Sequence, residues 1–399
     1  MTATHSLAWV PSHVPAAGRL LLALAGRLRH GFLHLATPDG EVQVGDAASP
    51  LHADLRIHDW RACARILRSG DVGFAEAYRD GWVDTSNLTN LLRLAIVNAA
   101  TLEQAIFGHA VARTWLRVRH LLRRNTRKGS RRNIHLHYDL GNDFYRLWLD
   151  AGMTYSAAWF NGRPQQALAD AQTAKYQRVC DQLRLGPGMD VLEIGCGWGG
   201  LMEIACARGA HVHGITLSEA QRGYTAQRLA DEPRARVELC DYRDIDGAYD
   251  AVVSIEMFEA VGEAYWSTYF QTLARCLRHG GRALVQSITI DEAQFERYRA
   301  GTDFIQQFIF PGGMLPSRER FIRLAEQHGM RVLDRLDFGT DYAETLRRWS
   351  QRFEAQLDAV RALGFDDAFI RIWRLYFAYC EAGFDEGRIG VSQFLLERV

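Results

Sequence analysis

The chain contains no apolar stretch approaching the roughly 20 residues that a membrane-spanning helix needs. Its N-terminus lacks the basic-then-apolar order of a secretory signal, and Pro11 interrupts it. Any contact with a membrane is therefore expected from the surface, on the cytoplasmic side. The seven cysteines include no CxxC pair and no metal-like cluster, and their number is odd. That pattern speaks for free thiols in a reducing cytoplasm, with no disulfide framework and no metal site. Net charge is missing too: 47 Lys and Arg offset 47 Asp and Glu, so only local charge says anything about partners. No internal repeat or low-complexity tract is visible.

What is present divides into three parts. With 399 residues, nearly half of them apolar, the chain can build two units with proper cores. Residues 18–30 read as an amphipathic helix, and "TPDG" at 37–40 as a turn between two short strands. A strand, a helix closed by Gly70 and a second short helix complete a small N-terminal unit, residues 1–110. A basic connector follows at 111–135. Its segment 113–132 holds nine Lys and Arg and no acid, with Trp115, Leu116, Val118, Leu121 and Leu122 interleaved. Near anionic lipid each such cation contributes about 1 kcal/mol, and the apolar interleaving suits a membrane interface better than nucleic acid. A solvated linker helix is the alternative.

From residue 185 onward apolar strands alternate with helices. "MDVLEIG", "HVHGIT", "RVELCD", "YDAVVSI" and "RALVQSIT" read as five strands of a parallel, doubly wound α/β sheet within a domain spanning 136–399. Ligands of such sheets bind at the carboxyl ends of the strands. There "VLEIGCGWGG", 191–200, places Gly195, Gly197, Gly199 and Gly200 between a strand and a helix, so the backbone can turn sharply and approach a ligand. The second strand ends in Thr216 rather than in the acid a dinucleotide ribose calls for. Glu193 inside the motif points instead to S-adenosylmethionine, with Asp241 and Tyr242 placed to meet an adenine edge and face.

On these residues the chain resembles the cyclopropane-fatty-acyl-phospholipid synthase and mycolic acid cyclopropane synthase family. The likeness is carried by "HYDLGNDFYRLWLD" (137–150), "TYSAAWF" (154–160), "VLEIGCGWGG", "GITLSEAQ" (214–221), "DYRDI" (241–245), "SIEMFEAVG" (254–262), "FIFPGGMLPS" (308–317) and "FGTDYAETLRRW" (338–349). It implies a class I S-adenosylmethionine methyltransferase fold, Rossmann-like with seven strands, behind a small α/β lipid-binding domain. It adds Tyr155, Ser156, Leu217 and Gln221 to the cofactor set. It further implies methyl(ene) transfer to a cis double bond of a phospholipid acyl chain and a homodimer; the altered base leaves the product as a cyclopropane or a methyl- or methylene-branched chain, with a downstream reductase as a candidate partner. The carbocation so formed is expected among aromatic faces, with Tyr155, Trp159, Phe258, Phe308, Phe310 and Tyr342 as candidates. For Phe308 and Phe310 plain core packing is the favoured role. The segment 289–317 is expected to form a lid or tunnel wall. His135 and His137 read as structural, and Cys196 as a small apolar filler. A methyltransferase for another hydrophobic acceptor and a non-catalytic lipid-binding homologue are the competing readings.

The family removes the final proton with a bicarbonate held by a cysteine, a glutamate, a histidine and a tyrosine. Glu259 and Tyr342 match, but Ala157 stands for the cysteine and Gln286 for the histidine, which puts bicarbonate in question. Glu256 stands where the family usually has glycine. The expectation is that its carboxylate replaces bicarbonate, with Gln286 donating a hydrogen bond. The alternatives are a helix cap or an ion pair with Arg243.

Overall fold

The computed structural model describes residues 13–101 and 140–399. The basic connector, the boundary near residue 110, His135 and His137 lie outside these residues. Two sheets organise what is described.

The first has four strands, β1 (Phe32–Thr37), β2 (Gly40–Gly45), β3 (His52–Ile57) and β4 (Val83–Asp84), in the order β2-β1-β3-β4. The Thr37 hydroxyl closes the β1–β2 turn by donating to the Gly40 carbonyl (2.9 Å). Three helices cover this sheet: α1 (Ala16–Ala25), α2 (Arg61–Arg79) and α3 (Leu88–Val97). The sequence suggests two helices parted at Gly70. They run on as one element with a kink there, because Gly70 takes φ 59° and ψ −129°, which an L side chain resists.

The second sheet has seven strands in the order β10-β11-β9-β8-β5-β6-β7. These are β5 (Asp190–Ile194), β6 (His211–Thr216), β7 (Ala235–Leu239), β8 (Tyr249–Ile255), β9 (Leu277–Ile290), β10 (Met330–Asp337) and β11 (Ile389–Arg398). Strands β5 to β9 run parallel, while β11 inserts antiparallel between β9 and β10. Helices on both faces bury the central strands, so Val191, Leu192, Ile194, Ala251, Val252 and Val253 are all shielded from water. This is the class I methyltransferase sheet. Helix Asp367–Asp385 leads into β11 and packs on both α2 and α3, joining the two sheets into one body. The segment expected as a lid holds helix Glu292–Ala300 and a π-helical turn, Ile305–Ile309, before a bridge from Ser317 to Ile290. Among the described residues no helix is long and apolar enough to cross a membrane.

Candidate active site

One cavity of about 300 Å³ runs along the carboxyl edge of the second sheet, following the strand order. It begins at the glycine loop after β5 and at the end of β6, passes the ends of β8 and β9, and finishes against β11 and helix Asp367–Asp385.

At the first end, Gly195, Gly197 and Gly199 all have φ between 54° and 83°. A Cβ on Gly195 would stand 3.0 Å from Met257, and one on Gly199 2.7 Å from Thr225. Glycine is therefore required by both backbone and space. Glu193 is buried beneath the loop, and its Oε2 has no hydrogen-bond partner. Burial pushes its carboxyl up to about 8, against the pull of Lys175 and Arg228. An orphaned acid beneath a glycine cradle fits S-adenosylmethionine, whose ammonium and sulfonium are cationic. Tyr155, Ser156, Thr216, Leu217, Gln221 and Tyr242 line the same stretch, with Thr216 Oγ1 donating to Gln221 Oε1 (2.8 Å). Asp241 departs from expectation. It does not line the cavity between its neighbours Cys240 and Tyr242, which do, and its carboxylate accepts both Nε (2.8 Å) and Nη2 (2.6 Å) of Arg243. Gly199 shapes the loop without lining the cavity.

The middle of the cavity holds the two glutamates. Glu256 follows β8 with φ 52°, the left-handed region that the family glycine would adopt freely. Its Oε1 accepts the backbone N–H of Ala157 (2.9 Å) and Nε2 of Gln286 (2.7 Å), and its Oε2 accepts the Tyr342 hydroxyl (2.7 Å). Each donor is itself fixed. Gln393 Nε2 donates to Gln286 Oε1 (3.0 Å), leaving the Gln286 amide nitrogen to face Glu256. The loop carrying Ala157 is pinned where Ala158 N donates to Thr345 (3.0 Å) and Phe160 N to Asp341 (2.7 Å). Tyr342 stacks on Phe384 with ring centroids 4.4 Å apart. Glu256 thus neither pairs with Arg243 nor caps the turn Phe258–Ala260. Burial raises its carboxyl, while Lys175 and the three donors pull it back.

Glu259 sits in that turn. Its Oε1 accepts the Ile288 N–H and the Ser287 hydroxyl (3.1 Å), and its Oε2 has no partner. Burial first, and the charge of Glu256 second, push it up to about 8. Burial raises both acids; the charge of Glu256 adds to the rise at Glu259, whereas Lys175 and the three donors favour the charged form of Glu256.

Of the aromatic candidates, Tyr155, Phe310 and Tyr342 line the cavity. The Phe310 ring is therefore wall rather than core filler. Phe258 points the other way, buried between Trp266, Tyr269 and Phe321, because the turn after β8 rotates it into the core. Trp159 lies under the Arg178 guanidinium and does not line the cavity. Two features were missed from sequence. Lys175 is fully buried, donating to Ser156 Oγ (2.6 Å) and Gln172 Oε1 (2.7 Å), with its ammonium drawn down to about 8 by burial. The signal was available: Leu168, Ala171, Gln172, Lys175 and Val179 share one helical stripe, so two polar residues fall on a buried face. Tyr376, Tyr379 and Cys380 form the far wall, and their spacing places them on one face of helix Asp367–Asp385.

The description "Mycolic acid cyclopropane synthetase" matches residues 125–394. A tuberculostearic acid methyltransferase of Mycobacterium tuberculosis is 41% identical over 398 residues, covering 96% of this chain and 91% of that protein. The cyclopropane-fatty-acyl-phospholipid synthase of Escherichia coli K12 is 33% identical over 347 residues, 87% of this chain and 88% of that one. A solved mycolic acid cyclopropane synthase complexed with SAH and CTAB superposes with a TM-score of 0.63 at 33% identity, covering 67% of this chain and 98% of its own. The chain belongs to the mycolic acid cyclopropane synthetase family and is an S-adenosylmethionine-dependent methyltransferase.

Proposed function

We propose that the protein methylates the cis double bond of an unsaturated phospholipid acyl chain, and that the Glu256 carboxylate, not bicarbonate, takes the final proton. The product is then a methyl- or methylene-branched chain. The observation that carries this reading is the seat of Glu256: the Ala157 N–H, the Gln286 amide and the Tyr342 hydroxyl converge on its carboxylate from three of the positions where the family anchors bicarbonate.

S-adenosylmethionine supplies an electrophilic methyl group. Glu193 and the loop Gly195–Gly199 would hold it, beside Ser156, Thr216, Gln221 and Tyr242. As the alkene electron pair forms the new C–C bond, positive charge develops on the neighbouring carbon. The faces of Tyr155, Phe310 and Tyr342 stabilise such charge by about 0.5–2 kcal/mol each when dry. The buried walls exclude water that would capture the cation. Glu256, ionised and held by three donors, accepts a proton, and the released C–H pair closes a double bond. Glu259, protonated, keeps a second negative charge from being forced on the pocket. A base fixed to the chain removes the proton from one place, which favours one product over ring closure. The relative named for tuberculostearic acid, aligned over 96% of this chain, supports methyl branching. The N-terminal unit and the basic connector are proposed to bring the enzyme to anionic membrane, and a separate reductase to saturate the branch.

Product structure tests this. The protein is incubated with S-adenosylmethionine and vesicles of cis-unsaturated phospholipid, and the methyl esters are examined by proton NMR. Olefinic and branched-methyl signals are expected. An upfield cyclopropane methylene signal in their place refutes the branching assignment, and no cofactor consumption on any unsaturated vesicle refutes the lipid assignment.

A further inference from the structure

A polar cluster at the far end of the cavity plays no part in the chemistry above. Asp71 follows the Gly70 kink in α2 and reaches out of the N-terminal unit. Its Oδ2 accepts the Tyr379 hydroxyl (2.7 Å) and the Phe304 N–H (3.1 Å), and its Oδ1 accepts the Val72 N–H (2.8 Å). One cross-unit donor lines the cavity and the other adjoins residues that do. Tyr379 lines it from helix Asp367–Asp385, and Phe304 precedes the π-helical turn whose Ile305 and Gln306 line it. Single π-helical turns are frequent at functional sites. The turn is braced on its other side, where Gln306 N donates to Asp303 Oδ1 (2.8 Å) and Gln306 Nε2 to the Gly313 carbonyl (2.8 Å).

This wall lies on the β11 side of the two glutamates, opposite the glycine loop, where an acyl chain extends once its double bond faces Glu256. The other flank of the same helix is bolted to the N-terminal unit: Arg371 donates to the Val83 carbonyl (2.8 Å), Arg93 to Glu386 (2.6 Å) and Thr89 to Glu381 (3.0 Å). Burial raises Asp71, and raises Asp303 to about 7 with Asp71 adding to the effect. Both shifts favour the uncharged form, which suits a wall facing a hydrocarbon chain. The family match begins at residue 125, so Asp71 lies outside the part of the chain that the family description covers.

We propose that Asp71 is a specificity-determining positioning residue: by holding Tyr379 and the start of the π-helical turn, the N-terminal unit sets the depth of the acyl cavity and so the chain length accepted. This rests on the acyl-chain reading above. Its test is a competition. Wild type, Asp71→Ala and Asp71→Asn are each given S-adenosylmethionine and vesicles holding equal palmitoleoyl and oleoyl phospholipid, and the ratio of modified chains is measured together with thermal stability. One buried methylene commands about tenfold or more in a fitted pocket, so Asp71→Ala is expected to move the ratio by at least about threefold. Asp71→Asn can keep one oxygen facing Tyr379 and Phe304, giving up only the acceptor for the Val72 N–H, and is expected to keep the wild-type ratio. Tyr379→Phe removes the same hydrogen bond from the other side, leaves the seam intact, and is expected to move the ratio in the same direction; it decides the matter if Asp71→Ala does not fold. An unchanged ratio in the folded variants overturns the proposal, and lower total turnover at that unchanged ratio assigns Asp71 to the seam alone. Wild type that modifies neither chain overturns the acyl reading, and this inference with it.

Discussion

Replacing Glu256 with glycine removes the proposed base while suiting the backbone. At φ 52° an L side chain costs on the order of 1–2 kcal/mol that glycine escapes. The variant strands three donors, Ala157 N–H, Gln286 Nε2 and Tyr342 Oη, at about 1–3 kcal/mol each if nothing replaces the carboxylate. Against this, it no longer desolvates a buried carboxylate, which costs several kcal/mol in a folded protein. The opposing effects leave a net change of at most about a few kcal/mol, and water entering the vacated space reduces it. The rate is a different matter, since a positioned general base contributes about 10²–10⁴-fold. The vacated volume is walled by the same three donors. Bicarbonate has the oxygens to fill it.

In carbonate-free buffer, Glu256→Gly is therefore expected to lose turnover by that factor, and added bicarbonate to restore it in a saturable manner. Glu256→Gln leaves no such volume and is expected to lose turnover without rescue. The assay is release of S-adenosylhomocysteine on unsaturated vesicles, with a melting curve for each variant. Full turnover by Glu256→Gly in carbonate-free buffer would refute the reasoning. So would an unaffected Glu256→Gln alongside an inactive Glu259→Gln, which would hand the base to Glu259.

Tyr342→Phe removes one donor to a charged acceptor, worth about 1.5–3 kcal/mol. The Glu256 carboxyl then rises further, so the acid limb of the kcat profile is expected to move to higher pH; an unmoved limb contradicts this. Glu193, pushed up to about 8 by burial, is expected to lose its proton when a cationic cofactor arrives. Calorimetry at neutral pH in buffers of different ionisation enthalpy should then report proton release on S-adenosylmethionine binding, absent in Glu193→Gln. Glu259 has a folded value of about 8 against an ordinary 4.5, so the native state holds this proton more tightly than the unfolded chain. The stability so gained is full below about pH 4.5 and is lost as pH rises through about 8. The melting temperature of Glu259→Gln is expected to fall less steeply over that range than that of wild type.

How much of this was legible in the sequence depended on range. The parallel strands are continuous apolar runs because helices bury them on both faces, and β6 and β8 begin and end where their residues suggest. The glycine loop is equally local. β10 and β11 were reached only through family resemblance. β10 exposes much of its edge-strand surface, and β11 owes its place to pairing with β9, about a hundred residues earlier. The far wall of the cavity is still less local: Asp71 meets Tyr379 across 308 residues, and no pattern within α2 announces it. Phe258 misled for a related reason. Its place after the strand was right, but the turn after β8 sets where its ring points.

The three departures from the family pattern make chemical sense only together. The acid at 256 has a longer side chain than the family glycine, and it must enter space that bicarbonate would fill. Alanine at 157 keeps the N–H that binds the oxyanion, while giving up the volume of a cysteine sulfur. Glutamine at 286 donates from a nitrogen that never titrates, and Gln393 fixes its orientation. A histidine there would donate in one tautomer and change charge near neutral pH. A lone Glu256 beside cysteine and histidine would be crowded and unevenly held; a lone Ala157 or Gln286 would weaken bicarbonate and leave no base. On the proposed reading the set exchanges a diffusible base for a tethered one, which stays on one side of the cation in every turnover. Restoring glycine, cysteine and histidine at 256, 157 and 286 together is therefore expected to let bicarbonate sustain turnover at lower concentration than Glu256→Gly alone needs, whereas reverting Ala157 or Gln286 alone lowers turnover.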